Sequence, residues 1–222
     1  MRHAEIVDRL PALIERLAGA DGPAGPLPAP PSMLVPVLAG TGELRAITPA
    51  PVEELRDAAV LALIIPGTDA EARIVLIERP SYDGHHSGEV GLPGGAVEEH
   101  DDDPVATALR EAAEEIGLEM TVTGIRVVGL LEPFQIPVSR FHVTPVLAVA
   151  AARPILHPDP REVARIVEAP IEGFLPGAPI EIVERTVRGW HLRYGGYRVE
   201  DLHVWGATAR ILGQLGAVLA GR

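Results

Sequence analysis

Apolar positions along the chain fall into two periods, one helical and one strand-like. Ile6, Leu10, Leu13, Ile14 and Leu17 recur at helical spacing, so residues 3–19 predict an amphipathic helix. Pro11 suits that helix only if it begins near Asp8, which places the proline in the first turn. Residues 58–65 (AAVLALII) and 73–78 (RIVLIE) are apolar runs of strand length on either side of a Pro66-Gly67 turn, and predict a buried pair. Val122 to Leu131 and Phe141 to Val149 predict two more strands, and EPFQIPVSR between them, with its two prolines, predicts an exposed loop. A loop over 155–162 and a short strand VARIVEA follow. Then come a short helix from Pro170 to near Leu175, a hairpin of Ile180–Arg188 with Tyr194–Val199, and a C-terminal helix from near Trp205 to Leu219. Asp21 to Pro51 is rich in proline and glycine and reads as a wrapping linker. Arg79 to Gly95 (RPSYDGHHSGEVGLPGG) is too glycine-rich for regular structure. The alternation of strands and helices predicts an α/β fold, an α/β/α sandwich around a mixed β-sheet. Residues 1–54 would form a helix and wrapping segment, and 55–222 the main domain.

The stretch from Gly94 to Leu118, GGAVEEHDDDPVATALREAAEEIGL, organises the rest. A glycine pair allows close backbone approach. Asp103 reads as an N-cap, Pro104 as the first helical residue and Gly117 as the C-terminal cap, which gives a helix of about thirteen residues. Leu109, Ala112, Ala113 and Ile116 form an apolar stripe, and Glu111, Glu114 and Glu115 are expected together on the opposite side with Arg110 at their flank. Like charges at these spacings destabilise a helix by a few tenths of a kcal/mol per pair. A hard divalent cation such as Mg²⁺ or Mn²⁺ would convert that repulsion into coordination; a solvated acidic face is the plain alternative.

Composition narrows the classes. Aromatic residues make up 4% of the 222, so the core must be built from Leu, Val, Ile and Ala. There is no cysteine, which removes disulfides, thiolate catalysis and zinc–thiolate sites. Lysine is also absent, which removes Schiff-base chemistry. A net charge of −12 argues against nucleic acid as a partner, but not against a phosphate substrate, because a bound cation inverts the local field. No apolar run suffices to span a bilayer and the N-terminus lacks a signal-peptide core, so no membrane partner and a cytoplasmic location are expected. A homodimer is compatible with this composition.

The order of residues in this stretch resembles the Nudix box: Gly, five residues, Glu, seven residues, Arg-Glu, an apolar residue, any, Glu-Glu, any, Gly, apolar. Residues 110–118 (REAAEEIGL) fit its second half. Counting back from Arg110 puts Asp102 at the first Glu position, with Gly95 one residue too far upstream. The coenzyme A pyrophosphatase branch commonly carries such an insertion. Its upstream motif is Leu-Leu-Thr-x-Arg-Ser/Ala, three residues, Arg, three, Gly, three, Phe-Pro-Gly-Gly. This chain keeps the spacing with Val75-Leu76-Ile77-Glu78-Arg79-Pro80, Gly84, Gly88 and Leu92-Pro93-Gly94-Gly95, and differs at Val75, Ile77, Pro80, Gly84 and Leu92. Val143-Thr144-Pro145-Val146, Asp159-x-x-Glu162-Val163 leading to Ala169-Pro170, and Val204-Trp205 onward resemble later segments of the same branch, so the likeness covers about residues 55–215.

That resemblance implies hydrolysis of a nucleotide-type small molecule: the pyrophosphate of coenzyme A or acyl-coenzyme A would be cleaved to 3′,5′-ADP and 4′-phosphopantetheine. A second reading is another nucleoside diphosphate derivative, such as ADP-ribose, a dinucleotide polyphosphate or a nucleoside triphosphate. A third is a Nudix-fold binding module without catalysis, against which the intact Glu111, Glu114 and Glu115 speak. Those three would hold the Mg²⁺ or Mn²⁺, with a carbonyl near Gly94 or Gly95 as a further ligand. Glu162 or Asp159 would take the proton from water, or both are solvated loop acids. Arg79 would meet substrate phosphate or pair with a neighbouring acid. His85 and His86 would grip phosphate or lie exposed in their loop, and Trp190 and Trp205 are expected to pack rather than to stack on a base.

Overall fold

The chain opens with two short helices instead of one. In the computed structural model, which describes residues 1–18, 23, 25–44, 54–80, 89–120, 124–136, 139–187 and 189–221, α1 (His3–Asp8) stops before Arg9 and α2 (Leu10–Leu17) starts again after it. The break places Pro11 in the first turn of α2, where the proline conflict expected for a single helix disappears. Ile6, Leu10, Leu13 and Leu17 keep one apolar face through the break, and the Arg9 guanidinium at the junction donates to the Leu219 carbonyl at the far end of the chain. In the proline-rich segment, a 3₁₀ turn over Ser32–Leu34 precedes a two-residue strand β1 (Val37–Leu38).

β2 (Arg56–Pro66) and β3 (Ala72–Glu78) form the expected antiparallel pair, with Ile64 opposite Ile74. Ala59, Leu61, Leu63 and Ile65 enter one core, and Ala62 and Ile64 enter another on the opposite face. With both faces covered, the strand reads as a continuous apolar run. Two short strands lie in the glycine-rich stretch, β4 (Val90–Gly91) against β3 and β5 (Gly94–Ala96) against β2. Their shortness and glycine content hid them from pattern reading. The central helix α3 (Pro104–Ile116) has its expected bounds.

β6 (Ile125–Leu130), β7 (Phe134–Ile136) and β8 (Phe141–Ala150) follow. β8 runs parallel to β2, from Arg56↔Phe141 to Ile64↔Val149, and both β6 and β7 pair antiparallel with β8. β7 lies in the segment expected to be a plain exposed loop; its three residues are too short a run to signal a strand. β9 (Arg165–Pro170) pairs along the outer side of β3, and a 3₁₀ turn over Ile171–Phe174 takes the place of the short helix expected there.

A second, four-stranded sheet contains β10 (Glu181–Val187), β11 (Trp190–Val199) and β12 (Leu202–Trp205), with β1 also against β11. The turn into β11 is shorter than the sequence suggested, and β12 is added. The C-terminal helix α4 (Gly206–Leu219) starts directly after Trp205. α3 packs on one face of the large sheet through Ala108, Ala112 and Ile116. α1, α2 and α4 cover the other face, where Ile211, Leu212 and Leu215 meet Tyr197 and Val204 of the small sheet. This is a mixed sheet between helical layers. No helix among the described residues is long and apolar enough to cross a membrane.

Candidate active site

α3 is placed by its ends. Asp103 Oδ1 accepts from Ala106 N at 2.8 Å, Pro104 opens the helix, and Gly117 closes it at φ +63 with its N–H returned to the Ala113 carbonyl at 3.1 Å. The faces differ from the expected division. Ala113 faces solvent, Ala108 takes its place in the apolar stripe, and Glu115 is buried at 1% exposure beside Ala112 and Ile116. At 100° per residue Glu115 lies on the border between stripe and acidic face, and the sheet edge above it decides which side it joins. Glu111 is half-buried and Glu114 exposed.

The glycine pair explains how a carboxylate is kept there. Gly94 has φ +152, and a Cβ on it would collide with the Ala59 carbonyl oxygen and Val60 Cα of β2. Its N–H donates to Glu115 Oε2 at 2.8 Å. Arg79, one residue past β3, places Nη2 3.4 Å from Glu115 Oε1 and 3.5 Å from the Gly94 carbonyl. A Cβ on Gly95 would stand 2.5 Å from the Glu111 carboxylate, so Gly95 leaves the space that carboxylate occupies. Burial pushes the Glu115 carboxyl up to about 7 against the pull of Arg79 and the Gly94 N–H, and the charges of Glu111 and Glu162 add to the rise. Burial also raises Glu111; Arg110 opposes this, while the charges of Glu114 and Glu162 reinforce it.

Arg110 ties the loop to the helix. Its Nε and Nη2 grip Asp101 at 3.0 and 2.9 Å, Nη2 donates to the Ala96 carbonyl at 3.0 Å, and Nη1 reaches Glu111 at 2.9 Å and Glu114 at 3.2 Å. Asp101 therefore occupies the position that counting assigned to Asp102, which faces solvent. Five residues separate Gly95 from Asp101, and the extra residue lies between Asp101 and Arg110. Asp101 was missed because three consecutive aspartates fit the count almost equally well. The deciding signal is Thr107, whose hydroxyl donates to Asp101 Oδ2 at 3.0 Å alongside Glu98 N at 2.9 Å.

These contacts, Arg110 first, hold the Asp101 carboxyl well below the usual carboxylate range. The folded form binds its proton less readily than the unfolded chain, so this stabilisation is present above the ordinary aspartate value of 3.8 and is lost as pH falls below it. Asp101→Asn should unfold at lower urea than wild type at pH 7 and lose less on moving from pH 6 to pH 3. Parallel pH profiles would show that Asp101 is not a stabilising anion.

The loop after β8 brings further acids. His157 N donates to the Ile116 carbonyl and Asp159 N to the Glu115 carbonyl, both at 2.9 Å, fastening this loop to the C-terminal end of α3. Glu162 N and Val163 N then bond the Asp159 carbonyl at 3.0 and 2.8 Å, a turn that leaves Glu162 exposed and close enough to act on Glu111 and Glu115. Arg161 grips the Asp159 carboxylate in bidentate fashion and pulls it down to about 2. Trp205 stacks on Tyr194 with ring centroids 4.7 Å apart, so it is used for packing, and Trp190 is 40% exposed on the small sheet. Gly84, His85, His86 and Gly88 lie outside the described residues.

The arrangement gathers Arg79, Gly94, Gly95, Arg110, Glu111, Glu114, Glu115 and Glu162 around one end of α3. Its metal-ligating atoms are oxygens only, and the charge of Glu162 raises the proton affinity of both Glu111 and Glu115, with Glu111 adding to the rise at Glu115. That chemistry fits a hard divalent cation. Among the described residues no three acidic or histidine side chains already enclose a single point, so the site is a row of available ligands rather than a closed cage.

Residues 55–182 match the NUDIX domain family model. The chain is 40% identical over 163 residues to Nudix hydrolase 22, chloroplastic, of Arabidopsis thaliana, covering 71% of this chain and 53% of the plant protein. It thus spans about half the length of that relative. With the Nudix hydrolase NudL of Pectobacterium atrosepticum it shares 35% identity over 175 residues, 78% of this chain and 87% of the other. Among solved structures, RenU, a Nudix hydrolase from M. Smegmatis, superposes with a TM-score of 0.53 at 23% identity over 75% of this chain and 86% of the other, a likeness of fold. Box, fold and relatives agree, and the chain belongs to the Nudix hydrolase family.

Proposed function

We propose that this chain is a Mg²⁺- or Mn²⁺-dependent pyrophosphohydrolase that cleaves coenzyme A or acyl-coenzyme A to 3′,5′-ADP and (acyl-)4′-phosphopantetheine. The observation that carries this reading is where β3 ends. The strand bearing the coenzyme A-type motif delivers Arg79 to within 3.4 Å of Glu115 and 3.5 Å of the Gly94 carbonyl, beside the glycine pair that ends the same motif. Residues 55–222 are taken as the hydrolase domain, with 1–54 as an appended segment, and the cytoplasm as the place of action.

In this mechanism Glu111, Glu114 and Glu115 would hold the divalent ion, with a carbonyl of Gly94 or Gly95 as a further ligand. When bound, such an ion neutralises phosphate oxygens and acidifies water. Arg110 sets the directions of Glu111 and Glu114, and the Gly94 N–H sets that of Glu115. Arg79 donates to a substrate phosphate. Glu162 takes the proton of the attacking water, because Asp159 is committed to Arg161 and is too weak a base at about 2. The water oxygen bonds to one phosphorus, the bond from that phosphorus to the bridging oxygen breaks, and two phosphate monoesters leave.

A substrate panel with either metal, products separated by chromatography, tests the assignment. 3′,5′-ADP is expected from coenzyme A. Cleavage of ADP-ribose or a nucleoside triphosphate with coenzyme A untouched would overturn the substrate and keep the reaction class. Gly84 stands where the branch motif carries arginine, so the 3′-phosphate should be poorly discriminated. Gly84→Arg should lower KM for coenzyme A more than for dephospho-coenzyme A, because only coenzyme A carries that phosphate.

A further inference from the structure

Among the described residues, the small sheet ends in an open edge. β10 pairs with β11 from Glu181↔Gly196 to Val187↔Trp190, and among the described residues no strand lies on its other side. Glu181 to Thr186 are exposed apart from half-buried Val183, and Ile182 is 51% exposed. Such an edge is a template for another strand.

The backbone direction of that edge can be read from β11. Ala39 N, just past β1, donates to the His191 carbonyl at 3.0 Å, so the polar groups of His191 and Arg193 face β1. Those of Leu192 and Tyr194 then face β10, and their partners Arg185 and Val183 bond inward. Ile182, Glu184 and Thr186 are left with N–H and C=O facing outward.

A second copy of the chain fits this edge in one register. Opposed residues of an antiparallel pair must both face the partner or both face away, so a two-fold axis passes through a residue and not between two. Centring on Glu184 opposes that glutamate to itself, and centring on Arg185 opposes two arginines. Centring on Ile182 brings no opposite charges together. Centring on Val183 sets valine against valine, Ile182 against Glu184 twice, and Glu181 against Arg185 twice. The two Ile182–Glu184 pairs would exchange four backbone hydrogen bonds, and the Glu181–Arg185 pairs fall at the closer, non-bonded positions, where side-chain attraction is strongest. Glu181 already accepts from Arg198 at 3.1 Å, so each would lie between two guanidinium groups.

We propose that the chain forms a homodimer by antiparallel pairing of two β10 strands about Val183, joining the small sheets into one. Sedimentation velocity from about 1 to 100 μM should give the dimer mass for wild type. Glu184→Pro removes only an outward N–H, which an edge strand tolerates, and should raise the dimer Kd by about 100-fold or more, roughly two tenfold steps of 1.4 kcal/mol, with the melting temperature nearly kept. Arg185→Glu should also give monomer, and adding Glu181→Arg to it should restore the dimer. A wild type that stays monomeric at about 100 μM overturns the proposal. So does a dimer that survives Glu184→Pro or Arg185→Glu.

Discussion

Glu115→Gln should leave a folded protein whose turnover falls by more than about 100-fold, the upper range for loss of a residue that merely supports a metal ligand. Glutamine keeps an acceptor for the Gly94 N–H now bonded at 2.8 Å, so the loop should stay in place. What disappears is a negative charge held at 1% exposure, with its carboxyl pushed up to about 7 by burial. The sign of the stability change follows. The folded state binds this proton more tightly than the unfolded chain, whose ordinary value is 4.5, so metal-free wild type should gain stability as pH is lowered from about 7 toward 4.5. The glutamine variant should lack that gain and should melt no lower than wild type at pH 8 without metal. Adding Mg²⁺ or Mn²⁺ should raise the wild-type melting temperature by mass action and raise the variant's less. Near-normal turnover, or equal metal-induced shifts, would remove Glu115 from the cation site and point to general screening of the −12 charge.

How far the sequence reveals this site depends on how local each determinant is. The bounds of α3 are written in Asp103, Pro104 and Gly117, which act within one turn, and they agree with the structure. The pairing of β2 with β3 is written in apolar runs that only a sheet covered on both faces would use. Local pattern fails where a partner distant in the chain decides. Glu115 reads as a member of an exposed acidic face until Gly94 and Arg79, twenty-one and thirty-six residues earlier, close over it. Asp101 is indistinguishable from Asp102 until Arg110 and Thr107 reach back to it. β5 and β7, three residues each, exist only because β2 and β8 offer open backbone beside them.

Gly94→Ala should be the most damaging substitution of a single methyl in the site, and the comparison with Gly95→Ala separates two reasons for a glycine pair. At Gly94 the φ of +152 is one that side chains rarely adopt, a strain of about 1–3 kcal/mol. The added Cβ would also run into the backbone of Ala59 and Val60, which cannot move without shifting a strand bonded to β3, β5 and β8. Overpacking of that kind costs a further 1–3 kcal/mol or so. The sum, about 2–6 kcal/mol, corresponds to a fall in melting temperature of roughly 4–24 °C for a chain of this size. Activity should be lost along with it, because the Gly94 N–H leaves Glu115. At Gly95 the obstacle is the end of a flexible side chain, the Glu111 carboxylate at 2.5 Å. That group swings aside, so Gly95→Ala should melt close to wild type while turnover falls with the displaced ligand. Urea melts beside steady-state rates on one substrate decide the matter. If Gly94→Ala melts within a degree or two of wild type, the close approach of this loop to β2 does not hold Glu115 in place. If Gly95→Ala turns over normally, Glu111 does not need the position above Gly95 to act.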